Sequence, residues 1–281
     1  MKIAITGAAG LFGYGLAQVF NERHTVVPLT HGDVDITRAE EVEAVFSRIQ
    51  PEVVIHAAAI PNPDTCEGDP ARAYAVNVHG TRYVCDSAHS CGARVVYIST
   101  DAVFDGLNRL KRPYREGDPT GPLTVYGRTK LRAEGIVQET GEYWIFRVSV
   151  LFGPGKENFV DKGLRRIEEG KTHVAPSNQL GNASYTLDLA RAMCGVIEAK
   201  KYGLYHLANS GSCTRLELAR RAAEMAGLNA LAITGKTLDE MERPARRLPY
   251  SVMDCNALRQ AGFPALRAWD EALQEYIAGL R

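Results

Sequence analysis

Tyr126-Gly-Arg-Thr-Lys130 follows Ser99-Thr100 in a chain that opens Lys2-Ile-Ala-Ile-Thr-Gly7-Ala-Ala-Gly10-Leu-Phe-Gly13. These residue types in this order point to hydride transfer. On a helix, residues four apart share a face, so Lys130 is expected beside the Tyr126 phenol, where its ammonium favours the ionised form. A free tyrosine titrates near pH ~10, too high for ready proton exchange at neutral pH, and a fixed cation is the simplest way to lower that value. Thr100, if it ends a strand beside that helix, supplies a hydroxyl to hold a substrate oxygen. Such a trio protonates an alkoxide while a nicotinamide delivers hydride.

A nicotinamide needs a dinucleotide site, and Gly7, Gly10 and Gly13 stand where its phosphate cradle belongs. Glycines between a first strand and a first helix allow a tight turn, close approach of backbone to pyrophosphate, and packing of helix on sheet. Leu11 and Phe12 complete that helix start. The alternative is a tight turn with no ligand. His56-Ala57-Ala58-Ala59 ends the third strand with small residues against which a flat cofactor can lie. The second strand ends Pro28-Leu-Thr30-His31 with no acid placed for a ribose 2′-hydroxyl, which leans toward NADP over NAD. Asp33 and Asp35 read either as neighbours of the adenosine or as helix-start residues.

The elements that must position these groups alternate. Strands are expected at 2–6, 25–29, 53–57, 94–99 and 143–148, with helices at about 11–22 and 38–49 and another from Asp69-Pro70 to near Gly92. A long loop spans 105–125, and a helix then carries Tyr126 and Lys130. This rhythm implies a parallel sheet covered on both faces, an α/β Rossmann-type doubly wound fold. Beyond Leu151, helices are expected at 159–169 and 187–200 and a strand at 203–207. Thr214 and Glu217 form a capping box opening a helix that Gly227 closes. Trp269, Leu273, Tyr276, Ile277 and Leu280 form an apolar helical stripe for core packing. The expected division is a dinucleotide domain over 1–151 with a returning segment at about 183–207, and a smaller α/β substrate lobe from 152–182 and 208–281.

Composition sets limits. The 281 residues are 45% hydrophobic and 23% charged, and 33 basic residues balance 33 acidic ones. That balance suggests neither nucleic acid nor an anionic membrane as partner. No apolar run approaches ~18 residues and no signal-peptide pattern opens the chain. The six cysteines lack metal-ligand spacing and read as thiols in a reducing cytoplasm. His56 and His206 read as packed strand-end residues, not bases.

Taken with Asp101-Ala-Val-Phe-Asp-Gly106, Asn178-Gln-Leu-Gly181 and Arg243-Pro-Ala-Arg-Arg247, these motifs resemble the extended short-chain dehydrogenase/reductase superfamily, nearest to its dTDP-4-dehydrorhamnose reductases, over nearly the whole chain. The resemblance implies NAD(P)H-dependent reduction of a 4-keto group on a nucleotide-linked deoxysugar, with Thr100, Tyr126 and Lys130 catalytic. It extends the cofactor contacts to Thr30, His31, Asp35, Ile36 and Asn77. It makes Asp101, Ala102, Val150, Asn158, Phe159, Gln179, Arg246 and Arg247 candidate substrate contacts, the arginines suiting a diphosphate. The implied partner is a small nucleotide sugar, and a homodimer is left open.

Three departures bear on that reading. Ala102 and Val150 stand where these reductases usually carry Tyr and, in several, Trp, which removes aromatic surface from the sugar pocket. Gly15 replaces a glutamate associated with a bridging metal in some members, so no metal is expected. An epimerase on the same scaffold is one alternative. A dehydratase lacks its acid, because Ala102 follows Asp101. A dinucleotide-binding regulatory subunit like that of methionine adenosyltransferase, similar around Pro113-Tyr-Arg-Glu116, is the other.

Overall fold

The computed structural model describes residues 1–280. The first half runs β1 (Lys2–Thr6), α1 (Leu11–Phe20), β2 (Thr25–Leu29), α2 (Ala39–Ile49), β3 (Val53–His56), α3 (Pro63–Gly68), α4 (Pro70–Tyr74), α5 (Gly80–Ser90), β4 (Arg94–Thr100), α6 (Val125–Gln138) and β5 (Tyr143–Val148). It continues through β6 (Leu151–Phe152), α7 (Phe159–Glu168), β7 (His173–Pro176), β8 (Leu180–Gly181), β9 (Ser184–Tyr185), α8 (Thr186–Glu198) and β10 (Gly203–His206). The last elements are β11 (Cys213–Thr214), α9 (Arg215–Met225), β12 (Ile233–Lys236), α10 (Asn256–Gln260) and α11 (Trp269–Gly279).

Six strands pair in the order β10-β5-β4-β3-β1-β2, all parallel. Alternation along each strand divides the core. Ile3, Ile5, Val96 and Ile98 face α1 and α8, while Ala4, Val95 and Tyr97 face α2, α5 and α6. Both faces are buried, as an all-parallel sheet requires. The returning strand β10 pairs with β5 at one sheet edge.

The helix begun at Asp69 is not uniform. The Asp69 carboxylate caps it by accepting from the Arg72 amide at 3.0 Å, Pro70 takes the first turn, and residues 75–79 widen into a π-helical turn before α5. Thr214 and Glu217 form the expected capping box at α9. At the C-terminal helix, Leu273, Tyr276 and Ile277 are buried, but Leu280 falls one residue past the helix and is half exposed, outside the expected stripe. Sequence periodicity also gave no sign of the parallel pair β7–β12, whose register runs from His173 opposite Ile233 to Pro176 opposite Lys236.

One buried ion pair locks α6 to the sheet. Arg147 on β5 donates from Nε and Nη2 to the two carboxylate oxygens of Glu134 at 2.9 and 2.7 Å, and Ser99 on β4 donates to the same carboxylate. Both charged side chains are at most 4% exposed, so neither is compensated by solvent. Truncation of Glu134 to alanine leaves a buried guanidinium unpaired. The expected cost is about 3–5 kcal/mol of unfolding free energy, read as a lowered urea midpoint, whereas an exposed pair such as Arg38–Glu41 should give a change within about 1 kcal/mol.

Candidate active site

The cradle forms where β1 turns into α1. Gly7 has φ +71°, and a Cβ there would lie 2.6 Å from the Ala58 amide nitrogen. A Cβ on Gly13 would collide with the Gly7 carbonyl, so α1 can press onto the turn only with glycine in place. Gly10 starts α1 with no side-chain cap and no acidic residue in the first turn. The amides of Leu11, Phe12 and Gly13 therefore open toward the C-terminal edge of the sheet, a seat for an anion. The Phe12 side chain itself is buried in the core. A dinucleotide's pyrophosphate fits this arrangement.

Around it, Ala57, Ala58 and Ala59 line the turn after β3, half-buried. Thr30 and His31 stand at the end of β2, where Asp33 folds back to accept from the Thr30 amide at 2.8 Å and its hydroxyl at 2.7 Å. These two hydrogen bonds hold the Asp33 carboxyl below its ordinary range, so a negative charge does sit at the tip of β2. Asp35 is occupied locally, accepting from the Thr37 amide and hydroxyl. Ile36 is buried against Gly80, and Asn77, also buried, has its amide committed to the Ile60 amide and carbonyl and to the Thr129 hydroxyl.

Thr100 closes β4, and Tyr126 enters on the first turn of α6. Thr124 caps that helix by accepting from the Gly127 amide at 3.0 Å. A side chain at position 127 would strike the Ala102 carbonyl, so the glycine of Tyr-Gly-Arg-Thr-Lys lets the helix start seat itself directly on the turn after Thr100. Burial raises the Tyr126 phenol well above its ordinary value, a hydrogen bond with Thr100 pulls the other way, and Asp101 adds to the rise. The phenol is held in its protonated form.

Lys130 does not act on it in the way the helix spacing suggested. Its stem runs under α6 to the sheet, where Nζ donates to the Ile98 carbonyl at 2.6 Å and lies 4.0 Å over the Tyr97 ring. Burial lowers the ammonium to about 7, partly offset by Glu134 one turn along.

Thr100 and Tyr126 open onto a cavity of about 250 Å³ between the sheet edge and the C-terminal elements. Asp101, Ala102, Phe159, Gln179, Arg246 and Arg247 line it, joined by Arg215, Arg243 and Ser251. Asp101 is fixed by hydroxyls, Thr100 donating at 3.0 Å and Ser149 at 2.6 Å. Arg247 makes a bidentate pair with Asp64 at 3.0 and 2.6 Å. Despite its burial, those bonds hold the Asp64 carboxyl below its usual range. Among the described residues, Arg215, Arg243 and Arg246 form no ion pair. Burial lowers the guanidinium of Arg215, with Asp101 opposing, and that of Arg243, with Arg247 adding to the shift.

Two expected substrate contacts lie elsewhere. Asn158 is the buried N-cap of α7, bound to Asp161, the Gly153 carbonyl and the Tyr276 hydroxyl. Val150 sits at φ +36°, a strained angle for a β-branched residue, with its side chain against the core. Arg215 was missed in the sequence, although the capping box at Thr214 makes it the first residue of α9. It lies with its guanidinium carbon 6.0 Å from the Phe159 ring centre.

A parallel sheet with a glycine cradle at its first turn, and a threonine, tyrosine and lysine gathered at the end of its fourth strand, defines an extended short-chain dehydrogenase/reductase. The family model described as RmlD substrate binding domain matches residues 1–281, and the chain belongs to that family. It is 36% identical to a dTDP-4-dehydrorhamnose reductase of Streptomyces griseus, with 98% of this chain and 93% of the relative covered. A solved dTDP-4-dehydrorhamnose reductase from Clostridium acetobutylicum superposes with TM-score 0.94 at 35% identity, covering 100% and 99% of the two chains. Another from Bacillus anthracis, solved in complex with NADP, gives TM-score 0.93 at 32% identity, with 99% of each chain covered.

The Lys130 shift has a consequence without any ligand. Between about pH 7 and 10 the unfolded chain binds a proton at this lysine that the folded chain has lost, so stability rises with pH across that window. Urea midpoints of the cofactor-free protein at pH 7, 8 and 9 should climb, and Lys130→Met should flatten the climb. An unchanged slope in the variant would show that another group sets it.

Proposed function

We propose that this protein reduces the 4-keto group of a dTDP-linked 6-deoxysugar with NADPH, as the names of its relatives suggest. The observation that carries the reading is a single cavity lined both by a protonated tyrosine and by three arginines that lack ion-pair partners among the described residues. The arginines suit a nucleoside diphosphate, and the tyrosine suits a neutral carbonyl.

In this reading residues 1–151, with 183–207 returning, hold the dinucleotide, and 152–182 with 208–281 hold the sugar nucleotide. Leu11, Phe12 and Gly13 offer backbone amides to pyrophosphate, and Ala57 to Ala59 lie along the cofactor. When bound, the reduced nicotinamide supplies hydride. Tyr126 holds a proton at its phenolic oxygen and releases it to the oxygen developing charge. Thr100 orients that oxygen. Lys130 lies beneath, held to Ile98, and its role in this reading is to anchor a ribose hydroxyl and return a proton to Tyr126. Ala102 leaves room beside the reacting carbon. Asp101, pinned by Thr100 and Ser149, keeps the turn in place and balances Arg215. No helix among the described residues is long and apolar enough to cross a membrane. All six cysteines are free, which supports a reducing, cytoplasmic site of action.

NADPH oxidation followed at its absorbance band should depend on a dTDP-4-keto-6-deoxysugar. Tyr126→Phe should lower kcat by about 10²- to 10⁴-fold with dinucleotide binding retained. Turnover at the parental rate would remove Tyr126 from the mechanism. Arg215→Ala should raise KM for the sugar nucleotide by about 10- to 100-fold, the loss of one charge-assisted contact. A small uncharged ketone should show no such change.

A further inference from the structure

A second constellation lies at the opposite end of α1 from the glycine cradle. His24, in the turn that enters β2, faces Cys194 and Glu198, which share one face of the last turns of α8. His24 Nε2 is 3.6 Å from Cys194 Sγ and 3.1 Å from Glu198 Oε1, and the three donor atoms all lie within 4.8 Å of one another. Cys194 is buried and the His24 side chain is only 7% exposed.

The convergence on one ring nitrogen is informative. A nucleophilic relay needs the thiol on one imidazole nitrogen and the carboxylate on the other. Here both partners address Nε2, which is the pattern left when three donors surround a common point. Two of the three edges also match a known shape. Bond lengths of about 2.3 Å to sulfur, 2.05 Å to nitrogen and 2.1 Å to oxygen, set at tetrahedral angles, give S···N and N···O edges of about 3.6 and 3.4 Å. The observed separations agree with these to a few tenths of an ångström. The donor set of thiolate, imidazole and carboxylate suits zinc.

We propose that His24 Nε2, Cys194 Sγ and Glu198 Oε1 form a three-ligand site for a zinc ion, with water in the fourth position. The second oxygen of Glu198 is held by Arg23 at 3.0 Å, which orients the carboxylate and leaves Oε1 for the ion. Phe20 packs beside the imidazole with ring centres 5.9 Å apart and restrains its rotation. Two features oppose binding. The Cys194 thiol must lose a proton that burial and Glu198 favour, and the positive charges of Arg23 and the N-terminal amine lie near His24. Glu22 adds to the rise of the Cys194 thiol, and Arg23 opposes it. The site joins the α1–β2 turn to α8, so its effect is to tie together the two helices that cover one face of the sheet. His24 and Cys194 are 170 positions apart, which is why no ligand spacing in the sequence announces the site and why no metal was expected.

Cobalt(II) replaces zinc with a spectroscopic signature and is the probe. Tag-free protein titrated with cobalt should bind one ion per chain, with a sulfur-to-cobalt charge-transfer band in the near ultraviolet and the intense visible bands of a tetrahedral ion. Cys194→Ser should lose the charge-transfer band. Both Cys194→Ser and the more exposed Glu198→Gln should bind zinc at least about tenfold more weakly, since even outer-shell changes cost that much. Zinc should raise the Tm of the parent and not that of Cys194→Ser. Circular dichroism checks that each variant is folded. Absence of stoichiometric binding, a charge-transfer band that survives Cys194→Ser, or unchanged zinc affinity in both variants overturns the proposal.

Discussion

The seating of α6 on the sheet governs everything at the catalytic end of this molecule, and the Glu134–Arg147 pair sets that seating. Taking two charges out of water is costly, and a buried pair is not in itself a source of net stability. What the pair supplies is selectivity of position. Arg147 meets both oxygens of Glu134 while Ser99 holds the same carboxylate, so one placement of α6 along β4 and β5 satisfies all three groups. Any slide or rotation would leave a bare charge in the core. With Glu134 held, Lys130 one turn earlier falls over Tyr97 and meets the Ile98 carbonyl, and Tyr126 one turn before that reaches the end of β4.

The dinucleotide side is tied to the same helix by neutral groups. His56, fully buried with its imidazole lowered to about 3 by burial and the nearby Lys130, bridges the Thr6 and Thr81 hydroxyls and so joins β1, β3 and α5. Asn77 then links the chain after β3 to Thr129, whose hydroxyl donates to the Tyr126 carbonyl at 2.8 Å. The π-helical turn at 75–79 adds a residue to the helix at the point where Asn77 must face inward, consistent with the use of such turns at functional positions. Cradle and acid are thus parts of one hydrogen-bonded frame.

Local rules were legible in the sequence where local physics decides. The strands of the main sheet, the capping box at Thr214 and the glycine cradle each depend on residues a few positions apart. Non-local partners were not. The helical spacing of Tyr126 and Lys130 was read correctly, yet the lysine stem runs to a carbonyl of β4, and it is burial that raises the Tyr126 phenol against the expected lowering. Asn158 and Asn77 looked like ligand-facing polar residues, but the amide of each is engaged by backbone and side-chain groups brought near by the fold. Arg215 escaped notice because only the packing of α9 against α7 and β7 turns the first residue of that helix into the cleft. Asp33 stands beyond the expected position for an acid and returns to the tip of β2 through a hydrogen bond that no strand pattern reveals.

The distribution of charge in the cleft separates binding from chemistry. Arg215, Arg243 and Arg246 form no ion pair among the described residues, while beside Thr100 stand a neutral phenol, a lysine that burial has brought near its neutral form, and the Asp101 carboxylate, whose charge opposes that of Arg215. An anion is drawn to the arginines at long range, and its binding energy is available to position a neutral group at Tyr126. A phenol already ionised would bind an electron-rich oxygen poorly and would have no proton to give. Keeping Tyr126 protonated therefore readies it to give a proton to a carbonyl oxygen, and the same group takes one back when the step runs in reverse.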